Sequence, residues 1–110
     1  MQLSKQEWKL FRERLPQWQE AYMQHLVEEY QALLEKPGEA SDKFWALDER
    51  IKADKKKPGV LLRVDKQTAV LDIVWFIHNG VIGMEALDGF SDETKDCVQF
   101  FLGRMKDQSC

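Results

Sequence analysis

Two histidines, His25 and His78, and two cysteines, Cys97 and Cys110, are the residues of this chain best suited to act as bases, nucleophiles or soft metal ligands. His25 and Glu29 stand one helical turn apart and make half of a metal site, but no second His or Cys has the spacing to complete it. His78 comes just before Asn79-Gly80, a helix-stop pair, and reads as a helix-end cation or polar cap. Cys97 falls on a helical segment with no His near it in sequence, and Cys110 ends a polar tail. Two such cysteines do not make a disulfide framework and read as one packed thiol and one terminal thiol. The stretch "NGVIG" (79–83) has two glycines but no Lys, Ser or Thr at the offset that a phosphate-cradling loop needs. These residues predict no catalytic centre, no metal site and no cofactor, and the expectation is a non-enzyme.

The stretch "WFIHNGVIGMEALDGFSDETKD" (75–96) has the rhythm of a helix-turn-helix DNA reader: helix, turn, short helix, loop, new helix. Between Gly80 and Asp96, however, Glu85, Asp88, Asp92, Glu93 and Asp96 stand against Lys95 alone. DNA affinity comes largely from neutralising phosphates, so this surface would repel a duplex. No Arg, Asn or Gln is placed to read a base edge. The layout predicts a way of folding two amphipathic helices over a central one.

Charge runs in blocks along the rest of the chain. The overall formal charge is -3. Residues 20–49 hold eight acids and two bases, and residues 50–66 hold seven bases and two acids. The acidic blocks nominate Glu28, Glu29, Glu85, Asp88, Asp92 and Glu93 as residues that would face a basic groove on another protein. Four tryptophans exceed what a small core needs, and Trp8 or Trp18, beside the Pro16 break, is the expected exposed anchor. The basic block "RIKADKKKPGVLLRVDK" (50–66) nominates an alternative, nucleic-acid binding through Lys52, Lys55, Lys56, Lys57 and Arg63. A third reading is a structural homodimer paired through the Tyr22/Leu26/Tyr30 stripe.

The elements that would position these residues are helical. Ser4 with Glu7 three residues on has capping-box spacing, and Trp8, Phe11 and Leu15 recur at helical intervals. Pro16 is expected to kink this helix or to sit in the first turn of the next. Trp18, Tyr22, Leu26, Tyr30 and Leu33 form one apolar stripe, widened by Met23, Val27 and Leu34, that ends at "KPGE". Ser41 and Asp42 are expected to cap a third helix with Phe44, Trp45, Leu47 and Ile51 apolar, closed by "DKKKPG". "GVLLRV" (59–64) reads as an extended connector with no strand partner. Residues 66–79 are apolar nearly all round and predict the central buried helix. "GMEALDG" gives one or two turns, and Ser91 starts a last helix carrying Val98, Phe101, Leu102 and Met105. The expected fold is all-α: a single domain spanning residues 1–110, with about five helices around the central one.

At 110 residues and 44% apolar content the chain is long enough for one core. No apolar run approaches the roughly 18 residues of a membrane span. The start, "MQLSKQEWKLF", carries no apolar signal region, and the expected location is the cytoplasm.

On "ASDKFWALDERIKADKKKPGV" (40–60) and "DIVWFIHNGVIGMEALDGFSDE" (72–93) the sequence resembles small uncharacterised helical proteins of gut Firmicutes and their mobile elements. The likeness extends over much of residues 4–96 and carries no active-site residue with it. The resemblance carries no function with it; mobile-element origin raises, by analogy, the prospect of a protein that blocks a host defence complex by surface complementarity, as anti-CRISPR proteins do. The functional expectation is a protein-binding module acting by stoichiometric contact, with a bacterial defence nuclease as its sharpest target.

Overall fold

A capping box starts the first helix as the Ser4/Glu7 spacing predicts. Ser4 Oγ accepts from the Glu7 amide at 3.2 Å and Glu7 Oε1 accepts from the Ser4 amide at 3.1 Å. The computed structural model describes residues 3–60 and 65–108. In it this helix, α1 (Lys5–Glu35), runs for 31 residues without a break at Pro16. Its length at about 1.5 Å per residue is roughly 46 Å, most of the 52 Å long axis of the molecule. Pro16 cannot donate to the Arg12 carbonyl, a loss that ends many helices. Here Pro16 is exposed, while Phe11, Leu15, Trp18, Tyr22 and Leu26 form an unbroken buried stripe on the other side. Packing on both sides of the proline holds the helix together. The expected two helices are therefore one, and the described residues form four α-helices and a 3-10 turn.

Lys36 precedes Pro37 and is pushed to extended backbone (φ -64, ψ 148), which ends α1. Gly38 follows at φ +152, and α2 (Ala40–Asp54) begins at once, with Glu39 as its N-cap. Ser41 and Asp42, the expected caps, lie inside the first turn, where Asp42 complements the helix dipole. The central helix α3 (Ala69–His78) is shorter than the predicted 66–79. Asp65 Oδ1 accepts from the Gln67 amide at 2.8 Å, a side-chain turn that delays the helix start. At its other end Gly80 (φ +73) donates to the Ile77 carbonyl and Val81 to Phe76, both at 3.0 Å, closing a Schellman motif. A 3-10 turn (Met84–Leu87) leads to α4 (Asp92–Gln108). Most of the predicted extended connector, Leu61–Val64 with Arg63 in it, lies outside the described residues.

The core is built by the first half of α1, α3, the 3-10 turn and α4. Phe11, Ile73, Phe76, Leu87 and Val98 at its centre are 0% exposed. The molecule is all-α, with no strand among the described residues. α2 is the exception to the core: it contributes no side chain to that cluster, and its one buried residue is the carboxylate Asp54. The second half of α1 and α2 thus form an arm attached beside the core. No helix among the described residues is long and apolar enough to cross a membrane.

Candidate interaction surface

A polar junction holds the arm together. Asp54, 1% exposed, accepts from the Tyr30 hydroxyl at 2.5 Å, from Arg50 Nε at 3.2 Å and from Lys57 Nζ at 3.0 Å. Arg50 also pairs with Glu29, which His25 approaches at 3.2 Å. Burial pushes the Asp54 carboxyl up, but the hydrogen bonds from Tyr30 and Lys57 and the two cations outweigh it and hold it below the usual range. Burial and the bond to Asp54 push the Tyr30 hydroxyl up to about 12. Beyond Asp54 the chain is pressed onto α1: Gln19 Nε2 donates to the Pro58 carbonyl at 3.0 Å, and a Cβ at Gly59 would overlap the Tyr22 ring. The junction pairs late residues of α2 with earlier residues of α1, so the two helices run antiparallel.

The same contacts engage part of the basic block. Lys57 is held by Asp54, and Lys52 pairs with Asp48 at 2.9 Å. Lys55 and Lys56 are exposed, and Arg63 lies outside the described residues. The half metal site is a polar contact, with Glu29 shared between His25 and the Arg50 guanidinium.

The nominated acids are spread along the molecule. Asp92 and Glu93 start α4 beside Glu7, because Glu7 Oε2 accepts from the Ser91 amide at 3.0 Å and from Thr94 Oγ1 at 2.7 Å. Glu85 and Asp88 are exposed on and just after the 3-10 turn that precedes α4. Glu28 lies 21 residues beyond Glu7 on a continuous helix, roughly 30 Å away.

Trp18 is not an exposed anchor. It is 7% exposed, edge-on to Phe11 at 6.1 Å and tilted on Phe76 at 5.7 Å. The reason is the continuity of α1 through Pro16, which keeps Trp18 in register with Phe11 and Leu15. Trp8 is half-buried, stacked on Phe11 and under the Arg12 guanidinium. The proposed dimer stripe is also taken: Tyr22 is 7% and Leu26 3% exposed, and Tyr22 packs edge-on to Trp75 at 5.1 Å.

The exposed large apolar side chains lie elsewhere, and most are on the arm. Met23, Val27 and Leu34 on α1 are 39–45% exposed, and on α2 Phe44 and Trp45 are 63% and 62% exposed. Their spacing of four and then seven residues puts Met23, Val27 and Leu34 on one face of α1. At about 100° per residue in two antiparallel helices, Phe44 points to the same side of the hairpin. Trp45 sits on the outer edge of α2, edge-on to Phe44 with ring centres 5.0 Å apart. Sequence reasoning counted Phe44 and Trp45 among the apolar positions of their helix. Their adjacency was the missed signal, because neighbours about 100° apart cannot both face a slim partner such as α1.

Two other polar features lie outside the arm. Glu7 lines a hollow of about 630 Å³ with Ser4, Ser91, Asp92 and Glu93. Burial raises its pKa, but hydrogen bonds from Thr94, Ser91 and Ser4 prevail and hold it at about 2. Such a carboxylate is a poor proton acceptor for Ser91, so the constellation fastens helix ends and does not activate a nucleophile. Asp72 on α3 is 9% exposed, with Thr68 Oγ1 at 3.4 Å. Its burial pushes its pKa up to about 6. Among the described residues no group of three or more His, Cys, Asp or Glu is placed to hold a metal. A second apolar surface, a groove of about 390 Å³ between α3 and α4, is lined by Leu71, Val74, Trp75, Phe101, Arg104 and Met105.

No family model matches the chain, and no curated protein and no solved structure matches it either.

Proposed function

We propose that this protein is a binding module of the cytoplasm that acts by stoichiometric contact with another protein, through the apolar side of its α1–α2 arm. The observation that carries the reading is the exposure of the adjacent aromatics Phe44 and Trp45, at 63% and 62%, on a helix that adds nothing to the core. Aromatic side chains left in water without a packing role are typical anchors of protein interfaces. The satisfied state of the Glu7 and Asp54 networks supports a contact role over a catalytic one. The lysine block gives the nucleic-acid alternative less support, since Lys52 and Lys57 are paired within the chain. A nucleic-acid-handling defence complex, inhibited by occupation of a basic groove, is the sharpest target within this reading.

The test is capture from nuclease-treated bacterial lysate with the wild-type chain and with the Phe44→Ser/Trp45→Ser variant side by side. The expected result is one dominant protein partner held in fixed ratio by the wild type and lost by the variant. Retention of the same partner by both chains would remove the arm from the function. Recovery of the bait alone would remove the function itself.

A further inference from the structure

Resting on that reading, we infer that the arm receives a basic amphipathic helix of about four turns, laid along α1 and α2 to complete a three-helix bundle. Two antiparallel helices with an uncovered apolar side are an incomplete packing unit, and a third helix seated over the seam covers both at once. The length follows from α2, whose 15 residues span about 22 Å, and the exposed stripe from Met23 to Leu34 covers about 16 Å of the facing helix.

Charge selects the occupant. Glu20, Glu28 and Glu35 run down the flank of α1 beside the stripe, and Glu39 and Asp42 stand at the turn of the hairpin, all of them exposed. None is in an ion pair among the described residues. The nearby cations are Lys36 and Lys43 and, at the far end of α2, the exposed Lys55 and Lys56 beside Lys52 and Lys57, which are paired with Asp48 and Asp54; Lys5, Lys9 and Arg12 are confined to the first turns of α1. A partner whose apolar ridge is flanked by Lys or Arg gains along the Glu20, Glu28 and Glu35 flank and at the hairpin turn. A second copy would bring its own acids against these. Anionic lipid would be repelled by the same rim, since surfaces that lie on such membranes carry Lys and Arg on their polar face.

The test titrates two synthetic 18-residue helices of identical Leu-rich apolar face, one with Lys and one with Glu at its polar positions, into the full chain by calorimetry. The expected result is one-to-one binding of the Lys peptide, at least roughly tenfold tighter than the Glu peptide. The substitutions Val27→Ser/Phe44→Ser, and separately Glu28→Lys/Glu35→Lys, should each weaken the Lys peptide about tenfold or more. The pair Leu71→Ser/Phe100→Ser, on the far α3–α4 surface, should leave it unchanged. All substituted positions are exposed, and circular dichroism melting checks that each variant folds. Equal binding of the two peptides, or loss in the α3–α4 variant, would overturn the inference. So would arm-dependent self-association in sedimentation velocity, or arm-dependent binding to phosphatidylserine vesicles. If lysate capture through the arm succeeds and the peptides show no preference, the basic helix is wrong and the binding function stands. If both fail, the function fails with it.

Discussion

Glu7 carries the most quantitative consequence of this fold. Its carboxylate accepts from Ser4 N at 3.1 Å, Ser91 N at 3.0 Å, Ser91 Oγ at 3.2 Å and Thr94 Oγ1 at 2.7 Å, so one side chain caps α1 and fastens the start of α4. Its pKa falls from 4.5 to about 2. At about 1.4 kcal/mol per unit, that shift corresponds to roughly 3 kcal/mol of stability. The folded pKa lies below the unfolded one, so this contribution is fully present above about pH 4.5 and is lost as pH falls towards 2. Glu7→Gln keeps the shape, removes the charge and turns one acceptor into a donor facing other donors. Urea unfolding followed by circular dichroism at several pH values should show the variant roughly 3 kcal/mol less stable at pH 7, out of a total of about 5–15 kcal/mol. The difference should shrink steadily between pH 4.5 and 2, because the wild type loses there what the variant never had. A deficit that is the same at every pH, or one under about 0.5 kcal/mol at pH 7, would refute the assignment of a charged latch.

Three further predictions concern the junction and α3. Asp54→Ala leaves Tyr30, Arg50 and Lys57 facing a buried gap, at a cost of about 3 kcal/mol, and hydrogen exchange should accelerate in α2 while α3 and α4 stay protected. Gly59→Ala drives a methyl into the Tyr22 ring, and a loss of about 1–3 kcal/mol in urea unfolding is expected. Asp72 has a folded pKa of about 6, above the usual 3.8, so it weakens the fold increasingly as pH rises through that window. Asp72→Asn should therefore raise the urea midpoint at pH 7.5, by an amount worth about 3 kcal/mol at most, and the gain should vanish as pH falls below about 4.

Much of the fold was legible because local signals and periodicity agree. The Ser4/Glu7 box, the Asn79-Gly80 stop and the apolar run of α3 each specify backbone geometry from a few neighbouring residues. Pro16 misled because its local cost is outweighed by contacts from Phe11, Leu15 and Trp18 to α3, which periodicity in α1 does not reveal. The same error placed Trp18 at the surface. The acidic residues were visible as blocks, but sequence proximity does not say that Glu28 and Asp92 stand at opposite ends of α1. The Glu7 latch joins residues 84 and 87 positions apart, and the second half of such a contact has no local signature. Phe44 and Trp45 were legible only as apolar positions of their helix, because residue type alone does not say how many residues one face of a helix can bury.

The separation of the arm from the core also sets an order of events during synthesis. The contacts that close the arm, Tyr30 with Asp54 and Glu29 with Arg50, span 24 and 21 residues and are complete once α2 has left the ribosome. The Glu7 latch waits for Ser91 and Thr94, near the end of the chain. Through that interval Phe11 and Trp18 have no α3 or α4 to cover them, while the hairpin that contains them is already free to form. The nascent chain therefore presents a sticky inner face before it presents a finished one, and the speed at which the last helix arrives governs how long that face is open to other chains.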